Sequence, residues 1–152
     1  MTEPKTLNDL LYETLKDIYF AEKQIVSALP KMAEAAQSPE LKQAFQTHHG
    51  QTETHIERLE QIFELLGKSA QQKTCNAILG IIEEGKEVME QFKDTEALDP
   101  GLLAGAQAVE HYEISRYGTM VTWAKTLGLD EEETTDELLS ELAEATVNAK
   151  AA

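Results

Sequence analysis

Apolar residues recur at three- and four-residue steps along most of the chain. Leu11, Leu15, Ile18, Ile25, Leu29 and Met32 form one series, and Leu41, Phe45, Leu59, Ile62 and Leu66 a second. A shorter series holds Ile78, Ile82, Gly85, Met89 and Phe92, and a fourth holds Leu103, Ala106, Met120, Ala124 and Leu127. Such steps put each series on one helix face, and helices striped in this way pack side by side in bundles. The two-residue alternation of half-buried strands is absent, so the pattern predicts an all-α domain.

Punctuation divides the chain into five helices. The first begins after Thr6, with Asp9 as capping partner, and runs to about Ala36 with Pro30 inside it, which is expected to kink it or remove a backbone bond. The second is capped by Ser38, has Pro39 in its first turn and stops at Gly67. The third spans roughly Thr74 to Phe92. The fourth opens with Asp99 as N-cap and closes at Gly128, and the fifth opens with Asp130 and Glu133. Helices one, two and four are similar in length, roughly 40 Å each, as side-by-side packing requires.

The stripes are interrupted by polar residues. Glu22 lies between Ile18 and Ile25 at helical spacing. His48, Thr52 and His55 fill the gap between Phe45 and Leu59, and Glu110, Glu113 and Tyr117 fill the gap between Ala106 and Met120. Glu22 stands about sixteen residues before the first turn, which puts positions 51–55 of an antiparallel partner opposite it. The same count from the turn near Gly128 puts Glu144 opposite Glu113. Four helices therefore offer polar groups near one level.

A charged or imidazole group on a buried seam is costly unless it is paired, hydrogen-bonded or bound to a metal. Carboxylates and imidazoles together bind iron, manganese and zinc. Glu22, His55, Glu110, Glu113 and Glu144 are the candidate ligands, with His48 a further ligand or an orienting partner and Tyr19 a hydrogen-bond donor to one of them. Taken singly, each has a plain alternative: Glu22 paired to a lysine, His55 a core histidine, Glu110 and Glu113 in interface ion pairs. His49 and His111 fall off the seams and read as surface residues, and Cys75 reads as a small buried apolar residue.

Composition narrows the function. The 152 residues suffice for one domain, residues 1–152, with a real core. A net charge of −15 repels phosphate backbones, so nucleic acid is not an expected partner. No apolar run approaches the ~20 residues of a membrane span. The polar N-terminus lacks a signal-peptide core, and one cysteine leaves no internal disulfide to form, so a reducing cytoplasm is expected.

Several stretches carry a resemblance: Tyr19-Phe20-Ala21-Glu22-Lys23-Gln24, His55-Ile56-Glu57-Arg58-Leu59-Glu60, Ile82-Glu83-Glu84-Gly85, and Val109-Glu110-His111-Tyr112-Glu113-Ile114 followed by Tyr117-Gly118. Over nearly the whole chain these resemble the YciF/YciE-like proteins of the ferritin-like superfamily. The resemblance implies a four-helix bundle of helices one, two, four and five, with helix three in the crossover. It also implies stress-associated homodimers with a di-iron-type centre, iron being the expected cofactor and manganese or zinc alternatives. Glu22, Glu110 and Glu113 match the family's carboxylates, Glu84 its helix-three glutamate, and His48 and His55 its polar seam positions. The chain departs where Gln51 stands for a usual glutamate, and near Glu144, where a Glu-Glu pair is expected. Oxidation of iron, or consumption of dioxygen or peroxide, is the activity this reading implies. A structural or interaction bundle that has lost the metal is the alternative.

Overall fold

The computed structural model describes residues 3–129 and 138–144. Four helices follow in order: α1 Leu7–Ala35, α2 Pro39–Leu65, α3 Asn76–Gln91 and α4 Leu98–Thr126. Residues 138–144 form a further helical stretch, and no strand occurs among the described residues. The expected opening of helix five, Asp130 and Glu133, lies outside them. No described helix is long and apolar enough to cross a membrane.

Local chemistry accounts for most of the limits. The Thr6 hydroxyl accepts from the Asp9 N–H while the Asp9 carboxylate accepts from the Thr6 N–H, a reciprocal cap. Ser38 caps α2 through the Leu41 N–H, and Pro39 follows where no helical donor is needed. Gly67 and Gly128 take positive φ just beyond α2 and α4, where a side chain would be strained. Pro30 sits on the exposed face of α1, and the helix continues through it. Cys75 is buried as expected, and its Sγ also caps α3 by accepting from the Ile78 N–H at 3.4 Å.

Asp99 corrects one expectation. Helix α4 starts at Leu98 with Ala97 in the capping position and no side-chain cap. The Asp99 carboxylate instead accepts from the Gln37 and Ser38 N–H groups, both at 2.8 Å. Those donors sit in the α1–α2 turn, outside any helical ladder, and a carboxylate satisfies both more strongly than a neutral group would. Replacing Asp99 with Ala should lower stability by about 1–2 kcal/mol, as loss of a helix cap does. Urea unfolding of the variant measures this, and a wild-type midpoint would remove the latch from the account.

The contacts fix the helix directions. Tyr12 reaches the Ser69 carbonyl and Tyr19 reaches Glu60, so α2 runs antiparallel to α1. Asp99 meets the end of α1 while Tyr117, further along α4, bonds Glu22, so α4 also runs antiparallel to α1. Between them α3 returns the chain along the bundle: Cys75 at its start meets Tyr112, and Val88 near its end meets Gly101. A Cβ at Gly101 would lie 2.6 Å from the Val88 side chain, which is why glycine is needed at this crossing.

The core follows the predicted stripes apart from Phe92, which is 41% exposed just beyond α3, and a slip of frame in α4. Leu11, Leu15, Ile18, Leu59, Ile62 and Met120 are all buried, and Leu139 and Leu142 of the last stretch join them. In α4, however, Leu102 is buried and Leu103 is 48% exposed. The inward seam there runs Leu102, Ala106, Val109, Glu113, Tyr117, Met120.

Candidate metal centre

Three long helices each send a buried polar side chain to one point. Glu22 comes from α1, His55 from α2 and Glu113 from α4, and each offers a ligand atom within 4.8 Å of the others. Ile18 and Ile25 flank Glu22 one turn either side, Leu59 follows His55, and Met120 follows Tyr117, all buried, so the group sits in an apolar shell. Glu22 and Glu113 are 0% and 1% exposed. Two carboxylates at that depth need compensation.

The protein supplies only part of it. Tyr117 donates to Glu22 Oε1 at 2.9 Å, and its ring meets the His55 ring edge-on. His55 Nδ1 lies 3.7 Å from Glu22 Oε2 and 3.5 Å from Glu113 Oε2, and His48 Nε2 lies 3.8 Å from Glu113 Oε1. No hydrogen bond forms at His55 Nδ1, Glu22 Oε2 or either Glu113 oxygen. Separations of 3.5–3.8 Å are loose for hydrogen bonds. They fit two ligands of one cation: atoms about 2.0–2.2 Å from a common ion stand roughly 3.4 Å apart at the tetrahedral angle. One divalent ion would also balance both carboxylates. The residues present therefore fit a cation, with Glu22, His55 and Glu113 as its donors and His48 beside them.

The structure assigns the other candidates elsewhere. Glu110 is half-buried and outside the group, because the inward seam of α4 passes through Val109 and turns Glu110 aside. Glu144 is exposed, since Leu139 and Leu142 define the buried face of its stretch. Among the described residues the group thus draws on three helices rather than four. Tyr19 bonds Glu60 at 3.3 Å and not a member of the group. Glu84 is exposed. Gln51 is exposed too, so its neutrality takes nothing from the buried group, and Thr52, buried next to it, donates to the His48 carbonyl. His49 is half-exposed, 3.7 Å from Glu53, and His111 is exposed. Sequence reasoning missed the network below the centre, in which Tyr112 bonds both Asp17 and Cys75 across three elements.

Without a cation the group settles its charge with protons. Burial, then the neighbouring Glu113 charge, pushes the Glu22 carboxyl well above the ordinary range. Burial also opposes charge on His55, but the two carboxylates outweigh it and raise its pKa to about 9. Glu113 moves the other way: against burial, His48 and His55 hold it down as an anion. The protonated His55 stabilises the fold fully below its ordinary 6.5, and that contribution is lost as pH rises to about 9. Glu22 has the same sign, while Glu113 matters only at acid pH. A cation reverses the trend, because it takes deprotonated ligands. The urea midpoint of chelator-treated protein is therefore expected to fall between pH 6.5 and 9, and to hold or rise when divalent ion is present. A flat midpoint in chelator would contradict the proton arrangement.

Comparison with known proteins gives the lineage. The family described as "Domain of unknown function (DUF892)" matches residues 6–152. Protein YciF of Escherichia coli (strain K12) is 42% identical over 159 residues, covering 97% of this chain and 96% of its own. The chain belongs to the DUF892, YciF-like family. Among solved structures, YcfI from Rhodopseudomonas palustris superposes with a TM-score of 0.91 at 42% identity, covering 97% of this chain and 92% of the other. The E. coli stress protein YciF gives 0.88 at 39% identity, covering 96% and 91%. A protein from Xanthomonas campestris shares the fold alone, at TM-score 0.69 and 21% identity over 94% of this chain and 84% of that one.

Proposed function

We propose that this chain is a ferritin-like stress protein whose Glu22–His55–Glu113 group holds a redox-active divalent ion, iron before manganese or zinc. The observation that carries the reading is the set of buried donor atoms without hydrogen-bond partners, spaced for a shared cation. Two antiparallel helices, a return through α3 and α4 antiparallel to α1 support the ferritin-like topology. The E. coli relative's description as a stress protein supports the physiological setting. A di-iron centre as in ferritin-like bundles draws on four carboxylates and two histidines, whereas the described group offers two carboxylates with His55, and His48 alongside. One ion per chain is therefore the stoichiometry this reading adopts. Homodimers in the cytoplasm complete it.

Bound iron supplies one-electron chemistry towards dioxygen or peroxide. The chain's own residues do the rest. Glu22 and Glu113 hold charge against a cation from opposite helices, and Tyr117 fixes the Glu22 carboxylate through Oε1, leaving Oε2 free to bind. His48, less buried than His55, orients Glu113 from the outer side. The apolar shell excludes bulk water. Mass spectrometry of metals on protein from iron-supplemented cultures is expected to find close to one ion per chain, and Glu113→Ala to lose it. Metal-free wild type after such growth overturns the reading.

A specific observation favours a second reading. His55 between two carboxylates, one of them protonated, is electrically neutral without any ion. A structural bundle could keep the triad in that form. It predicts no metal, no peroxide or dioxygen consumption, and no response of stability to chelator.

A further inference from the structure

A cavity of about 100 Å³ lies between α1, α3 and α4. Ile25, Met32, Ile82, Met89 and Val109 make its wall apolar. Among the described residues no acidic side chain lines it, although the protein carries a net charge of −15. Two lysines do, Lys31 on α1 and Lys86 on α3, both exposed. Neither makes an ion pair among the described residues. His48 lines the cavity as well, and its Nε2 is 3.8 Å from Glu113 Oε1. The cavity and the buried Glu–His group therefore share one side chain as a wall.

An apolar pocket with positive charge only at its edge, in an otherwise acidic molecule, selects a small ligand with one anionic end. The enclosed volume, about 100 Å³, is below the roughly 150 Å³ that accommodates benzene, so it takes an apolar tail of about four carbons and leaves the anionic end at the mouth. We propose that this cavity binds a short-chain amphipathic monocarboxylate, its apolar tail between α1, α3 and α4 and its carboxylate at Lys31 and Lys86. The tail then rests against His48, so occupancy is transmitted to the side chain beside Glu113. That link to a metal rests on the function proposed above. The binding does not, and it is measured with chelator present, so either can fail without the other.

The probes are hexanoate, 1-hexanol and hexylamine, titrated into the full-length protein by NMR. Hexanoate is expected to bind about three- to ten-fold more tightly than hexanol, the range two exposed charge pairs provide, and hexylamine more weakly than either. Binding should shift the His48 ring signals and leave those of His49, which does not line the cavity, in place. Gly105→Leu and Gly85→Leu fill the space from α4 and α3. A Cβ at either position meets nothing within 4 Å, and leucine favours a helix over glycine, so both variants should fold. Each is expected to abolish hexanoate and hexanol binding with the melting midpoint kept. Lys31→Gln with Lys86→Gln should reduce hexanoate to the affinity of hexanol. Hexylamine binding as tightly as hexanoate, or hexanoate binding that survives Gly105→Leu in a folded protein, overturns the proposal.

Discussion

Adding ferrous ion anaerobically to the chelator-treated protein should raise its melting midpoint by roughly 8–16 °C. An ion that binds only the folded chain stabilises it by about 4 kcal/mol when present at a thousand times its dissociation constant. For a domain of this size each kcal/mol moves the midpoint by about 2–4 °C. The binding atoms lie on three helices, so no unfolded segment presents them together and the linkage falls almost wholly on the native state. Manganese and zinc should shift the midpoint too, by amounts that rank their affinities. Glu22→Ala should remove the shift. Calorimetry with and without chelator reads all of this, and an unchanged midpoint with every ion would leave the neutral triad as the better account.

The second large effect runs against intuition. Replacing the group with apolar residues of similar volume, Glu22→Leu, His55→Leu, Glu113→Leu and Tyr117→Phe together, should stabilise the metal-free protein by roughly 1–4 kcal/mol while abolishing metal binding. Tyr117 must change with the rest, because its hydroxyl bonds Glu22 and would otherwise be orphaned. His55→Leu alone should do the opposite and cost about 3–5 kcal/mol, since it leaves two carboxylates buried against each other. Denaturant unfolding of the two variants in chelator gives both numbers. If the fourfold variant were markedly less stable than wild type, the group would be a structural element in its own right. A stabilised fourfold variant would mean that the fold carries these residues for function and bears their cost.

The sequence made α1 and α2 legible because their caps and stripes agree. Thr6 with Asp9, and Ser38 with Pro39, sit where the apolar period begins, and Glu22 and His55 interrupt it at helical steps. The α4 seam was less determined. From Ala106 to Glu113 a helical path can pass through either Val109 or Glu110, and spacing alone does not choose between them. Packing against α1 and α3 chose Val109, which left Glu110 aside. Leu102 and Leu103 pose the same ambiguity about two turns earlier. Glu144 was placed by counting height along an ideal pair of helices, which fixes level but not rotation. Asp99 resembled a cap because it precedes Pro100 at a helix start. Its real partners, Gln37 and Ser38, are some sixty positions away and leave no local mark.

That remoteness bears on how a newborn chain closes. The hinge between α1 and α2 leaves the ribosome before the aspartate that seals it, and at about 5–20 residues per second the wait is roughly 3–12 s. Until α4 is made, Glu22 and His55 lack the Glu113 side of their enclosure, and their charges stay hydrated. The arrival of one late helix both locks the hinge and shuts the acid inside.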